Sequence, residues 1–522
     1  MKRSLVVLLA VFLTANFSFG GGIVTNTNQS AMFTRLQARD ATLGPDAVYY
    51  NPAGLVFLST GFHFSINNQT LGQTRTVTNS YPNLNDDTYK GDVFAPVFPG
   101  IYASYNTGKF AFSLGFNPIG GGGGATYENG LPSFEMSQSD LTKLLAGAGV
   151  TDYSMDAYFK GSSVYFGYQG NISYKISDQL SVAIGGRYVS AKETYQGHLR
   201  DIEVNAGGTW GRADAFILNK IVPLASGAAD QMQPLIDGGA GPLTFQQAED
   251  MSVITTGQRA QMEGGLQSFG VSTDGMTLRE AQAAYTGVAT KYTASAQLLG
   301  DQEADVEKTA TGFTPIISVD FHPSEKLNIA LKYEHRTKLE FTNNTKKDLL
   351  TGFDPLTGDS ITQFPDGAKT HLDIPSQLVA GVTFKPVDKL LLSAGFHYYL
   401  DKNANWDGKE KKLDGNSFEF GIGGEYSLTD MFGVSAGYLY TKSGATGSYQ
   451  TDMSYSLPSS TVGLGGVLHL NEMLELNLGA SYTMYQEGSR IGTHDLGEIP
   501  ISYTETYDKD VWIVAVGLNI AL

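Results

Sequence analysis

The stretch DKNANWDGKEKK, which begins at Asp401, contains residue types that could bind calcium. Asp401, Asn403 and Asn405 stand at alternate positions, as the first oxygen ligands of a calcium-binding loop do. Such a loop needs glycine at its sixth position and glutamate at its twelfth, but this stretch has Trp406 and Lys412 there. We therefore predict a solvated loop that binds no metal ion.

The glycine-run and histidine patterns that could perform chemistry are incomplete. The glycine run from Gly120 to Gly124 is not followed by the Lys-Ser or Lys-Thr pair of a phosphate-binding loop. The eight histidines are scattered and form no HExxH motif. Without cysteine, a thiol nucleophile, a cysteine-ligated metal and a disulfide are all excluded. We predict that the protein is not an enzyme and needs no cofactor, although a triad assembled across distant strands would be invisible in the sequence.

The start of the chain predicts export. Met1-Lys2-Arg3 is followed by an apolar run from Leu5 to Leu13 and by small residues at Ser18 and Gly20, which is typical of a signal peptide spanning residues 1–20. The apolar run is shorter than the ~20 residues that a membrane-spanning helix needs. The 52 acidic residues outnumber the 35 basic ones, giving a net charge of −17, which argues against nucleic acid as a partner.

A period of two dominates the rest of the chain. In LNIALKYEHRTKLEF, which begins at Leu327, apolar residues such as Ile329 and Leu331 alternate with charged residues such as Lys332 and Glu334. This alternation predicts β-strands with one apolar and one charged face. A soluble β-sandwich alternates in the same way, so the alternation alone does not identify the fold.

The connections between the predicted strands distinguish a barrel from a sandwich. Tight polar turns such as NTGK, HPSEK and KPVDK alternate with much longer segments. Short turns on one side and long loops on the other are typical of a transmembrane antiparallel β-barrel. We therefore predict an all-β protein with about fourteen strands. The predicted strands cover residues 61–71, 96–107, 109–117, 160–176, 178–195, 307–323, 325–341, 371–386, 388–401, 416–428, 431–442, 456–470, 473–486 and 507–522.

The longest connection, residues 196–306, has a different composition. It is rich in Ala, Gln, Leu and Glu, which favour helices, and Thr277 with Glu280 forms a capping-box pattern. A second short helix is predicted over residues 139–149, with Ser139 as its cap. Strand parity places these helices on the extracellular side. They could capture a ligand, or they could be surface elaborations without a role in binding.

The stretch DAVYYNPAGLVFLST, from Asp46 to Thr60, places turn residues between apolar ones. Together with the preceding residues, SAMFTRLQARDATLGPDAVYYNPAGL resembles the N-terminal hatch of the FadL/TodX family, outer-membrane transporters of long-chain fatty acids and other hydrophobic compounds. The resemblance implies that residues 21–58 plug the lumen, that residues 59–522 form the barrel, and that Asn51, Pro52 and Ala53 are the hatch motif. An ordinary turn ahead of the first strand is the alternative.

The stretch LGFNPIGGGGGATY places Phe116, Asn117, Pro118 and Gly120 at the predicted end of the third strand. Proline cannot donate to a strand ladder and glycine weakens a strand. The family resemblance implies an inward kink there and a lateral opening through which the ligand leaves. Sideways exit suits an apolar cargo because it avoids water. The alternative is a flexible loop root.

The resemblance implies passive transport of a hydrophobic small molecule by a monomer that spans the outer membrane of a Gram-negative bacterium many times and contacts its lipid. The ligand would be captured by the outer loops, pass to an apolar pocket beside the hatch, and leave through the third strand. Two other functions remain open: a general diffusion porin for hydrophilic solutes, and a surface adhesin or binding barrel whose 196–306 loop contacts a partner.

Overall fold

The computed structural model describes residues 23–354, 357–496 and 499–522, so the predicted signal peptide lies outside the described residues. Within them, fourteen strands form a closed antiparallel β-barrel. The barrel closes where the first strand pairs with the last, with Phe64 opposite Ile520 and Ile66 opposite Leu518. This confirms the predicted fold class and the number of strands.

The fourteen strands of the ring follow one another in chain order. They are β1 (Gly61–Asn79), β2 (Thr88–Asn106), β3 (Phe110–Tyr127), β4 (Val150–Lys175), β5 (Leu180–Ala206), β6 (Gln302–Ser324), β7 (Leu327–Glu334), β8 (Gln377–Val387), β9 (Leu390–Tyr399), β10 (Phe418–Ser427), β11 (Phe432–Lys442), β12 (Ser459–His469), β13 (Leu474–Tyr485) and β14 (Ile499–Ala521).

Several strands extend further at their outer ends than predicted. β5 continues to Ala206 instead of ending at residue 195, and β14 begins at Ile499 instead of residue 507. In these extensions the outward positions are polar, as at Gln196, His198 and Arg200, while the pairing continues. Alternation with apolar residues is needed only where the outer face meets hydrocarbon, so it cannot mark a strand end beyond that zone.

Two predicted strands are interrupted. The strand predicted over 325–341 is β7 followed by a separate strand, Glu340–Lys347, and the strand predicted over 371–386 is a short segment, Lys369–His371, followed by β8. An isolated bridge between Thr337 and Ile374 joins the two interruptions. Shorter strands outside the ring are Thr209–Arg212, Leu350–Phe353, Ser360–Thr362 and Gly488–Leu496, the last of which pairs with the outer end of β14.

The helices fall into two groups, one inside the barrel and one at its outer end. The inner helices are α1 (Ala31–Leu36), α2 (Ala47–Tyr50) and the 3-10 helix Pro52–Phe57. No helix among the described residues is both long enough and apolar enough to cross a membrane. The outer helices are α3 (Pro132–Ser139), α4 (Leu141–Leu144), α5 (Ala213–Phe216), α6 (Val222–Leu235), α7 (Phe245–Asp250), α8 (Thr256–Ser268) and α9 (Leu278–Leu298), with π-helical turns at Ile217–Ile221 and Ile236–Ala240 and 3-10 turns at Ala146–Ala148, Asp401–Asn403 and Lys409–Lys412.

The outer helices confirm one predicted cap and correct another. The side chain of Thr277 accepts from the backbone of Glu280, and the glutamate side chain accepts from the backbone of Thr277, so the capping box begins α9. By contrast, Ser139 does not cap a helix over 139–149. It is the last residue of α3, which starts earlier because Pro132 suits a first helical turn, and its hydroxyl donates to the carbonyl of Met136.

Candidate functional site

The lumen of the barrel is filled by residues 23–58, which we call the hatch. Helix α1 contacts the wall from β10 to β14 and at β1, and α2 contacts β2, β3 and β4. The 3-10 helix Pro52–Phe57 contacts β2 to β6. Every residue of α1 and α2 is buried, although both helices carry polar side chains. A barrel of fourteen strands is too wide for its wall side chains to fill, and the hatch takes that space.

A belt of wall glycines allows α1 to lie directly on the sheet. A Cβ atom at Gly423 or Gly437 would overlap the carbonyl oxygen of Leu36, and one at Gly421 would overlap that of Gln37. Only glycine permits this close backbone approach. The glycines whose added Cβ would meet α1 or the residues after it are Gly381, Gly395, Gly421, Gly423, Gly437, Gly463, Gly465, Gly479 and Gly517.

The single arginine of α1 binds the wall through several acceptors. Arg35 forms an ion pair with Glu425 and donates to the hydroxyl of Ser435 at 2.9 Å. Two of its nitrogens also donate to the side-chain oxygen of Asn477, at 2.8 and 3.2 Å. A buried guanidinium is stable only when its donors are satisfied, so this network fixes the end of α1 against β10, β11 and β13.

A second polar network joins the hatch to β9 and β10. The Nε2 atom of His397 lies 2.7 Å from a carboxylate oxygen of Asp40, and its Nδ1 atom lies 2.9 Å from Glu419. The hydroxyls of Thr27 and Tyr399 each donate to the same Glu419 oxygen at 2.7 Å. Because carboxylates only accept, this arrangement suits an imidazolium that donates from both nitrogens to a hatch and a wall carboxylate.

The predicted hatch motif lies against β4, β5 and β6. The side-chain amide of Asn51 donates to the carboxylate of Asp320, and the backbone N–H of Ala53 donates to a wall serine at 3.0 Å. The carbonyls of Pro52 and Ala53 each accept a serine hydroxyl at 2.6 Å. These interactions satisfy the backbone of a buried turn. The three serines are Ser173 of β4, Ser181 of β5 and Ser318 of β6.

The wall is interrupted between β2 and β3. These strands pair from Asn106 opposite Ala111 as far as Ile101 opposite Phe116, and pairing resumes only at Asp92 opposite Thr126. Of the predicted opening residues, Phe116 is therefore the last paired one, and Asn117, Pro118 and Gly120 lie within the interruption. We call this interruption the β2–β3 gap.

The third strand does not end at Pro118, as the sequence indicated, but continues to Tyr127. β4 stays paired with it past the glycines, through register shifts between Pro118 and Gly120 and between Gly121 and Gly123. Gly121 has φ of +82°, which an L-residue rarely adopts. The glycines therefore permit bulges in β3 rather than ending the strand. Along this stretch β3 is no longer paired with β2 but remains paired with β4.

The start of the hatch lies behind the β2–β3 gap. Thr25 forms a bridge with Gly120, and the backbone N–H of Asn26 donates to the carbonyl of Ile119 at 2.9 Å. The side chain of Gln29 donates to the carbonyl of Pro118 at 2.9 Å. Both amide atoms of Asn117 are buried without a hydrogen-bond partner among the described residues. Hatch and wall thus share the hydrogen bonds that β2 does not supply.

On the outer side of the hatch, apolar side chains from many strands converge on the lumen. We call this group the upper cluster; it contains Leu71, Val93, Ala125, Tyr127, Leu131, Phe159, Tyr195, Val306, Phe364, Met453, Val511 and Ile513. Polar groups adjoin it on β1. Arg75 donates to the hydroxyl of Tyr127 at 3.2 Å and lies 4.3 Å from the ring centre of Tyr455. Gln73 is buried, and neither of its amide atoms has a partner among the described residues.

Two motif-like stretches have structural roles. Asp401 accepts from the backbone N–H of Ser417 at 2.8 Å, and the indole of Trp406 donates to the carbonyl of Asp373 at 2.9 Å. The pentapeptide from Gly433 to Gly437 matches the GxSxG pattern of serine hydrolases, but it lies in the middle of β11, and its serine hydroxyl accepts from Arg35. A nucleophile elbow requires a sharp turn between a strand and a helix.

No family model and no curated protein matches the sequence. Among solved structures, the fold is similar to that of a FadL homologue of Pseudomonas aeruginosa, with 12% identity, a TM-score of 0.58, and coverage of 96% of this chain and all of that one. It is also similar to the toluene transporter TodX of P. putida, with 12% identity, a TM-score of 0.50, and coverage of 92% and 94% of the two chains. At this identity the likeness establishes the fold, and it confirms the architecture that the sequence resemblance implied.

Proposed function

We propose that this protein is a passive transporter of hydrophobic molecules in the outer membrane of a Gram-negative bacterium. The observation that carries the proposal is the combination of a filled lumen with a wall that lacks pairing between β2 and β3. A filled lumen blocks an aqueous channel, whereas a gap in the wall offers a route towards hydrocarbon. A general diffusion porin needs the opposite arrangement, an open lumen and a continuous wall.

The proposed route has an outer binding site, a closed hatch and a lateral exit. The outer helices capture the solute, and the upper cluster provides apolar contacts above the hatch. A shift of the hatch residues that bind Ile119 and Gly120 then clears the inner side of the β2–β3 gap. The solute leaves sideways past Phe116, Asn117, Pro118 and Gly120 into the lipid, which spares it contact with water. A single chain encloses the whole route, so a monomer suffices.

The polar groups beside the upper cluster favour an amphiphilic cargo with an anionic head, such as a long-chain fatty acid. The guanidinium of Arg75 and the amide of Gln73 occupy successive inward positions of β1, and Leu71 of the upper cluster precedes them. A carboxylate beside these donors could place its hydrocarbon chain against the cluster. Arginine is well suited to a carboxylate because its planar fork donates two hydrogen bonds.

Replacing Arg75 with methionine is expected to lower the uptake of oleate about tenfold while leaving toluene uptake within about twofold. A hydrogen bond to a charged group contributes about 1.5–3 kcal/mol, and 1.4 kcal/mol corresponds to a factor of ten. Uptake is measured with radiolabelled solutes in cells. Arg200→Met serves as the matched control, because Arg200 pairs with Glu303 on the outer strand extensions. Equal losses for oleate and toluene would exclude a role for Arg75 in recognising the head group.

The proposed function is tested by solute uptake into cells that lack their own hydrophobic-solute transporters. We expect the protein to accelerate the uptake of labelled oleate severalfold and to leave the uptake of a small hydrophilic sugar unchanged. Faster sugar uptake would indicate a porin. If neither oleate nor toluene enters faster, and the outer helices instead make the cells adhere to a surface, the protein is a binding barrel. Deletion of residues 207–301 distinguishes the binding barrel from the transporter, because it removes the outer helices α5 to α9 and leaves the fourteen strands.

A further inference from the structure

A groove of about 760 Å³ crosses the outer face of the barrel near the turns that join β2 to β3 and β4 to β5 at their inner ends. Its floor contains small residues, Ala103 of β2 and Gly170 of β4, and its rim contains large ones, among them Phe62, Tyr105 and Phe112. These rim residues point outward and are about half exposed. The volume lies within the range of small-molecule sites.

The strand register explains why a groove forms there. Phe64, Ala103, Leu114 and Gly170 are successive partners across four strands and form one row on the outer face. The row below it carries Phe62, Tyr105, Phe112, Ile172 and Ile184, all of them large. The small side chain of Ala103 and the missing side chain of Gly170, with large residues around them, leave a depression in this face.

The groove lies directly below the β2–β3 gap. Ile101 and Phe116, the last pair before the gap, are two positions along their strands from Ala103 and Leu114, so they form the next outward-facing row. Phe116 lies with its ring centre 5.1 Å from that of Tyr168 on β4, which continues this row. Any molecule that passes through the gap and moves towards the inner leaflet therefore meets the groove first.

We propose that this groove is a binding site for the hydrocarbon chain of the transported molecule after it has left the lumen. The inference rests on the proposed lateral exit. Three observations select this occupant: the groove faces lipid, which excludes a water-soluble partner; it adjoins the gap; and its lining is almost wholly apolar apart from Ser104, Ser113 and Asn171 at its floor. Apolar surface buried against the chain would hold the molecule beside the gap and delay its return to the lumen.

The test uses tryptophan fluorescence of the full-length protein in lipid vesicles. The L114W variant places an indole in the groove, and the A436W variant places one on the outer face of β11, far from it. The signal of the unsubstituted protein, which contains three tryptophans, is subtracted. Brominated stearic acid and a brominated phosphatidylethanolamine serve as separate quenchers. We expect brominated stearic acid to quench the tryptophan fluorescence of L114W at a concentration about tenfold lower than that needed for A436W. Unlabelled oleate should reverse the quenching.

Two results would overturn the proposal. One is equal quenching of L114W and A436W by brominated stearic acid. The other is preferential quenching of L114W by the brominated phospholipid that oleate does not reverse, which would assign the groove to a membrane lipid. The substitution A103F fills the floor of the groove. In the L114W/A103F variant it should abolish the preferential quenching by brominated stearic acid, whereas the control variant L114W/A436F should keep it. Oleate uptake by the unsubstituted protein is measured in parallel, so normal uptake without preferential quenching rejects the groove and retains the transporter.

Discussion

Gly423→Ala is expected to displace the hatch and to open the barrel to hydrophilic solutes. The added methyl group would overlap the carbonyl oxygen of Leu36 at the end of α1, and a backbone atom cannot move aside as a flexible side chain can. Overpacking of this kind typically costs about 1–3 kcal/mol. At about 2 kcal/mol the ratio of displaced to seated hatch would rise roughly thirtyfold. Conductance in planar lipid bilayers should therefore increase, with frequent large openings.

Gly424→Ala is the matched control, one residue further along the same strand. A Cβ atom at Gly424 has the side chain of Leu392 as its nearest neighbour, at 3.5 Å, which is an ordinary contact. This variant should conduct as the unsubstituted protein does. Circular dichroism must show an intact barrel in both variants. Identical conductance of the two alanine variants would mean that the glycine belt does not hold the hatch in place.

Several features of the fold follow from the sequence because they have local causes. The outer face must be apolar at every second residue, so alternation and the contrast of short and long connections predict fourteen strands. The buried turn at Asn51 to Ala53 can also be predicted from the sequence, because turn residues stand among apolar ones. The outer ends of β4 and β5 carry no such signal, because above the apolar zone the strands pair through backbone bonds that any polar residue allows.

The contacts that seat the hatch depend on barrel closure, so the sequence does not reveal them. Gly423 and Leu36 are far apart in the chain and meet only when β10 reaches its place in the ring. The same holds for His397, which belongs to no motif in the sequence and whose carboxylate partner Asp40 is 357 residues away. A high glycine content indicates that backbone segments approach each other closely, but only the register of the ring identifies which glycines face α1.

The GxSxG pentapeptide shows the opposite problem, a motif without its structural context. The pattern from Gly433 to Gly437 is formally complete. In β11, however, its residues alternate between the two faces of the wall, so Ser435 points inward to Arg35 and Gly437 lies against α1. Of its two glycines, Gly437 makes room for the hatch, whereas a Cβ atom at Gly433 would meet the side chain of Val467 in the neighbouring strand. The period of two therefore predicts the structure of this segment correctly, whereas the GxSxG pattern does not.

His397→Gln is expected to be among the most destabilising single substitutions in the hatch–wall contact. The imidazole lies between the carboxylates of Asp40 and Glu419, and all three side chains are buried. Removing one member of a buried ionic network leaves uncompensated charge and costs about 3–5 kcal/mol. We expect a lower midpoint of thermal unfolding and, because Asp40 belongs to the hatch, larger conductance before the barrel itself unfolds.

A double-mutant cycle with Asp40→Asn isolates the contact between hatch and wall. Removing one carboxylate relieves the repulsion that His397→Gln creates, so the D40N/H397Q variant should be less destabilised than the sum of its two single variants. His469→Gln is the control: His469 is about 40% exposed and pairs with Glu475 at 3.4 Å on the surface, so its loss should change stability by no more than about 0.5 kcal/mol. If the two substitutions are instead additive, Asp40 and His397 are not coupled, and the glycine belt and Arg35 must hold the hatch without them.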